Sequence, residues 1–156
     1  MKLADVICQD AIIAQLGSGE RDAVIEELVQ SLGGHVKMKA ADVKALAKAV
    51  IKRENEASTG IGKGVAVPHV KHKSIREPVA VIGCSHEGIG FASLDKQPVY
   101  SVFLLLSPAS NPDKHLQAME TIFKNLQKDD FRRFLRQART PEAIIEAIKD
   151  ADDDSN

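Results

Sequence analysis

Val99-Tyr100-Ser101-Val102-Phe103-Leu104-Leu105-Leu106 is an almost unbroken apolar run, and Val79-Ala80-Val81-Ile82-Gly83-Cys84 is a second. Both are rich in β-branched residues and too short to cross a bilayer, which takes about 20 residues. Continuous apolar character of this length marks strands covered on both faces. Outward from them the period changes. Val24, Ile25, Leu28, Val29 and Leu32 recur at helical spacing over 21–32, with Gly33-Gly34 as a left-handed stop. Val43, Leu46, Ala47, Val50 and Ile51 predict a second helix over 41–52. Beyond the strands, Leu116, Met119, Ile122, Phe123 and Leu126 restore the helical period, and Phe131, Phe134 and Leu135 carry a further helix. A last helix opens with Thr140 as N-cap, Pro141 in the first turn and Glu142 at the positive end, turning Ile144, Ile145 and Ile148 inward. Helices before, between and after buried strands predict an α/β fold, a single-domain sandwich with a small mixed β-sheet flanked by helices. The expected domain is 1–149, followed by an acidic, disordered tail over 150–156.

Composition narrows the function. The chain has 156 residues, one domain's worth, and 21 basic against 22 acidic side chains leave a formal net charge of -1. A balance that close to zero argues against partners held by a basic surface, so neither nucleic acid nor direct membrane insertion is expected. With no tryptophan and Tyr100 as the single tyrosine, there is no aromatic set on which bases would stack. Cys8 and Cys84 form no close-spaced metal or redox motif; Cys84 reads as a packing residue. The N-terminus has no signal-peptide pattern, and a cytoplasmic protein is expected.

Between the second helix and the first strand lies Thr59-Gly60-Ile61-Gly62-Lys63-Gly64, inside a stretch from Arg53 to Gly64 that has no apolar period and reads as a loop. It is not a P-loop, because Lys63 is followed by glycine and position 57 is Ala57. It is not a dinucleotide fingerprint either, because it leaves a helix and enters a strand and its third glycine comes one position early. Val65-Ala66-Val67 is a short strand ended by Pro68, and His69 follows. A proline stop would place His69 at the rim of the sheet, where open α/β sheets put ligands. A neutral imidazole there is both nucleophile and proton carrier. His69 and His72 are unsuited to a metal pair, since residues three apart on an extended segment face opposite sides; neither a metal nor another cofactor is expected. Lys71 and His72 read as surface groups, His35 and His86 as surface or turn. His115 opens a helix, where it suits a donor to an anion.

Arg53-Glu54 followed by Ser58-Thr59-Gly60-Ile61-Gly62-Lys63-Gly64-Val65-Ala66-Val67-Pro68-His69 resembles the signature of IIA domains of the bacterial phosphoenolpyruvate-dependent phosphotransferase system, of the fructose/mannitol/nitrogen-regulatory type. Gly88-Ile89-Gly90-Phe91, Asp95 through Val99, Val102–Leu106, Pro108 and His115-Leu116 continue the match over nearly the whole chain. The resemblance implies that His69 accepts a phosphoryl group and that His115 and Arg53 act beside it. Ser58, Thr59, Gly60 and Gly62 would support the phosphate. It also implies a phosphotransferase role without a cofactor. The donor would be an HPr-like phosphocarrier or a nitrogen-branch relative, and the acceptor a IIB domain or a regulated target protein. The chain's length, with no IIB or membrane segment in it, points to the nitrogen-type regulatory role, with sugar uptake and a phosphorylation-independent binding module as the alternatives. Two positions depart from the family pattern. Val70 stands where a small residue is usual, which would narrow access to His69, and Lys96 stands where glycine usually follows the aspartate.

Overall fold

The computed structural model describes residues 1–154. Six helices, α1 Leu3–Val6, α2 Arg21–His35, α3 Ala40–Glu56, α4 Pro112–Leu126, α5 Asp129–Gln137 and α6 Pro141–Asp153, enclose a five-stranded sheet. Its strands are β1 Gly60–Gly62, β2 Val65–Ala66, β3 His69–His72, β4 Val79–Ile89 and β5 Val99–Pro108. The two apolar runs are β4 and β5, paired antiparallel through Ile82–Phe103. Along the other edge of β5 run β2 and then β3, both parallel to it. The mixed sheet is the expected one.

The core divides by strand alternation. Phe103 and Leu105 of β5 and Ala80 and Ile82 of β4 pack against α1, α4, α5 and α6. Val102, Leu104 and Leu106, with Val81, face α2 and α3 on the other side. Apolar burial on both faces of the sheet, worth roughly 25 cal/mol per Å², is the main term set against chain entropy. The segment ahead of α2 closes the free edge of β4. Cys8 donates to Ala80 O (2.8 Å), Ile13 to Ile82 O (3.1 Å) and Leu16 to Cys84 O (2.8 Å), so that edge offers no row of unpaired groups.

Local expectations change at several points in three dimensions. The helix expected to stop at Gly33-Gly34 continues to His35, and the left-handed residue is Lys37, at φ 56°. Met38 then donates to Gly33 O, the closing bond of a Schellman turn. Gly33 has another task, since a Cβ there would lie 2.5 Å from Val43 Cγ2, where α2 and α3 touch. The Arg53–Gly64 loop is shorter than expected. Its first residues, Arg53–Glu56, are the last turn of α3, and Gly60–Gly62 pairs with β2.

Strand β2 ends at Ala66, ahead of Pro68, and the ladder resumes in β3 at His69. Val65 faces Ser101 and His69 faces Leu105, the same register on both sides of the proline, and Pro68 O accepts from Leu105 N at 2.9 Å. The proline removes one donor from a ladder that otherwise runs on.

The acidic tail is also shorter than expected. Helix α6 runs to Asp153, and Asp152 is 5% exposed because its carboxylate accepts from Leu3 N (2.7 Å) and Ala4 N (3.0 Å). It neutralises the free N–H groups of α1 and ties the two ends of the chain together. Ser155 and Asn156 of that tail lie outside the described residues.

In α5, Phe134 is 42% exposed, whereas Phe131 and Leu135 are buried. At Lys96 the chain adopts φ 61°, so the turn keeps the left-handed geometry that glycine takes without strain.

Candidate functional site

The register that carries β3 past Pro68 decides where its side chains go. His69 lies beside Leu105 and Lys71 beside Ser107, so both share the α4 face of the sheet, while Val70 packs into the α2–α3 core. Val70 therefore does not narrow access to His69; it points through the sheet. On the α4 face, Asn111 caps the helix by accepting from Lys114 N (3.2 Å), and Pro112 sets its first turn. That start holds His115 over the end of β5, with Nδ1 2.7 Å from Ser107 Oγ, a fully buried hydroxyl. The rings of His69 and His115 face each other with centroids 5.6 Å apart and planes tilted by 40°.

His69 Nδ1 lies 2.7 Å from Val67 O. A carbonyl oxygen only accepts, so in the neutral ring Nδ1 carries the proton and Nε2 the lone pair. Burial is the main influence on the ring and lowers its pKa. The bond to Val67 and the charge of Glu54 oppose that, whereas the charges of Arg53 and Lys71 add to it. His115 is lowered in the same direction, by burial first and then by the charges of His69 and Lys71. Two half-buried imidazoles held neutral around pH 7, one with a defined lone pair, form a nucleophilic site bordered by Arg53 and Lys71.

The sequence-predicted residues divide accordingly. His69, His115 and the charge of Arg53 come together; Arg53 Nη1 also donates to Ala57 O (3.0 Å), straightening its own helix end. Much of the glycine loop is bonded within the scaffold. Thr59 N and Thr59 Oγ1 both donate to the Glu54 carboxylate, each at 2.7 Å. Gly60 N donates to Ser58 Oγ (3.0 Å), and that hydroxyl donates to Phe91 O (2.5 Å). The polar groups of Ser58, Thr59 and Gly60 are thus engaged within the scaffold. Gly60 itself allows close approach, since a Cβ there would lie 2.3 Å from Ser93 Oγ. Gly62, at φ 94°, sits where the chain turns back toward β2.

Two neighbours of the histidines were not singled out from sequence. Lys71 is exposed, as a surface lysine should be, but its charge reaches both rings, a consequence of its i, i+2 relation to His69 on one strand. Glu54 is 2% exposed in the last turn of α3. Elsewhere, His86 is neither surface nor turn: it lies in β4, half-buried, with Nδ1 2.6 Å from Arg139 Nη1. His72 accepts from Ser74 N (3.1 Å) and closes the turn after β3. Cys84 is buried among apolar groups, which pushes its thiol pKa up to about 11, as suits packing rather than reactivity.

The family model for the phosphoenolpyruvate-dependent sugar phosphotransferase system, EIIA 2, matches residues 6–151. The chain belongs to this family. Its relatives fall into two groups. The fructose-specific EIIABC component of Bacillus subtilis is 33% identical over 152 residues, which are 97% of this chain and 24% of that one, so the chain spans about a quarter of that relative's length. The nitrogen regulatory protein of Bradyrhizobium diazoefficiens is 28% identical over 148 residues, 95% of each chain. Among solved structures, the nitrogen regulatory protein IIA-Ntr of Neisseria meningitidis superposes with a TM-score of 0.82 at 24% identity, covering 94% of this chain and 98% of that one. The IIA mannitol enzyme of Escherichia coli, solved in complex with its phosphorylated IIB enzyme, gives a TM-score of 0.75 at 15% identity, over 92% and 96% of the two chains. These likenesses are to the fold, an α/β sandwich that family members share. Among the described residues no helix is long and apolar enough to cross a membrane.

Proposed function

We propose that this protein is a phosphohistidine carrier in which His69 accepts a phosphoryl group from an HPr-like phosphocarrier or a nitrogen-branch relative. The observation that carries the reading is the tautomer of His69: with its Nδ1–H committed to Val67 O, Nε2 presents a lone pair beside a second imidazole. Transfer is an in-line exchange. The Nε2 lone pair forms the new N–P bond while the N–P bond of the donor phosphohistidine breaks, and that electron pair returns to the donor's ring nitrogen. His69 keeps its Nδ1 proton on Val67 O throughout. The group in flight carries about two negative charges. Arg53 and Lys71 offset them, and His115 supplies a hydrogen bond from Nε2 when Ser107 donates to its Nδ1. Leu116, next to His115 and 56% exposed, gives a protein partner an apolar contact at the rim.

The downstream role we assign is regulatory. Its support is the run of nitrogen regulatory relatives matched end to end, such as that of Bradyrhizobium diazoefficiens. The 33% identity to a fructose-specific component keeps transfer to a IIB domain as the second reading.

Incubation with phosphoenolpyruvate, enzyme I and HPr should load one acid-labile, base-stable phosphoryl group, and His69→Ala should abolish it. Equal labelling of the variant refutes the assignment. Pull-downs from native extract with the phosphorylated protein and with His69→Ala should capture different partners. Identical sets, with rapid loss of phosphoryl to a co-purified IIB protein, would instead establish transport.

A further inference from the structure

Glu54 stands where stability alone would not place a carboxylate. It is 2% exposed, and it lies in the last turn of α3, at the negative end of the helix dipole. Burying an ionised carboxylate is costly unless its oxygens are bonded, and both are: Oε2 accepts from Thr59 N and Oε1 from Thr59 Oγ1, each at 2.7 Å. Thr59 spends both of these groups on Glu54.

The chain of bonds goes on from Thr59. Its carbonyl accepts from Val67 N at 3.1 Å, and Val67 O accepts the Nδ1–H of His69 at 2.7 Å. A buried carboxylate thus holds Thr59, Thr59 holds Val67, and Val67 holds the imidazole, each by one bond. The links act by fixing position, since the N–H and C=O of one residue belong to different peptide groups, and the charge of Glu54 reaches the ring through space. We propose that Glu54 is a positioning residue for His69, acting through Thr59 and Val67 to hold the ring in its Nδ1–H tautomer and keep Nε2 free for phosphorus. This rests on His69 being the phosphoryl acceptor. As the N–P bond forms the ring becomes more cationic, and the same carboxylate, whose charge already favours the protonated ring, stabilises that change. Arg53, Lys71 and His115 face the ring as well, all on the side that favours an arriving anion.

The test is Glu54→Gln, which keeps shape and an acceptor for Thr59 N–H but removes the charge. ¹⁵N NMR of the unphosphorylated protein reads the His69 tautomer and pKa directly, independently of whether the ring is ever phosphorylated. In the variant, Nε2–H signal should appear and the His69 pKa should fall below that of the parent. Phosphoryl acceptance should slow by about 10–100-fold, the scale for removing a group that orients a histidine. A purely structural role would leave tautomer and pKa in place once the variant folds. Thr59→Val keeps the backbone links but removes the Oγ1 bond that helps fix the Glu54 carboxylate, and should raise the Nε2–H signal to a smaller extent; if Glu54→Gln does not fold, this variant decides. Unchanged His69 resonances in the folded variants overturn the relay, whereas a failure of the parent to take phosphoryl on His69 overturns only the carrier reading.

Discussion

Replacing His115 by alanine separates the chemistry of the site from its stability. The variant removes an imidazole 5.6 Å from His69 and leaves Ser107 Oγ, fully buried, without its 2.7 Å partner. Loss of one hydrogen bond to a buried hydroxyl costs about 1–3 kcal/mol, and the vacated space is open enough for water to bring this to the low end. About 1 kcal/mol in a chain of this size is a fall of roughly 2–4 °C in Tm. The kinetic effect should be larger. A donor aimed at charge that develops in the transition state is worth about 10–1000-fold in rate, or about 1.4–4 kcal/mol. Calorimetry gives the first number and rapid-quench transfer from radiolabelled phosphocarrier, at equal folded fraction, gives the second. The charge of His69 also lowers the affinity of His115 for protons, so His115 should bind its proton more tightly in a His69→Ala variant. Transfer as fast as the parent's, with only the small loss of Tm, would refute a role for His115 in the reaction and reduce it to a partner for Ser107.

Asp152→Ala should destabilise the fold by about 2–4 kcal/mol, since one buried carboxylate caps both Leu3 N and Ala4 N; urea titration measures it, and a change below 0.5 kcal/mol, about the scale of a surface substitution, would contradict the capping role. Both site histidines bind protons less readily when folded than the ordinary value of about 6.5, so the unfolded chain takes up protons first as pH falls. Stability from these groups is complete above that pH and declines below it, and the slope of Tm between pH 7 and 5 should flatten in the His69→Ala, His115→Ala double variant. By the same shift, phosphoryl acceptance should survive to a pH below the ordinary histidine midpoint; an acid limb centred at or above it would contradict a lowered His69.

Much of this molecule is written in short-range patterns. The helical spacing of Val24 to Leu32, the Thr140 cap with Pro141 behind it, and the apolar runs of β4 and β5 each report a local free-energy preference, and each element formed in place. The signature from Arg53 through the glycine loop to His69 was equally legible, as a run of residue types that marks the family. The roles that shifted belong to residues whose partners are distant. Gly33 reads as a helix stop until α3 brings Val43 against it, and Asp152 reads as solvated tail until α1, 149 residues earlier, offers it two N–H groups. Val70 reads as an obstruction beside His69 until the parallel register of β3 on β5 turns it into the opposite core. Glu54 and Lys71 carry no sequence mark that separates them from other charged residues; only the meeting of α3, the loop and β3 directs their charges at one ring. Periodicity and capping are settled within a few residues of chain, whereas burial, charge coupling and close approach exist only once segments far apart in sequence are packed together, so those properties had to wait for the tertiary structure.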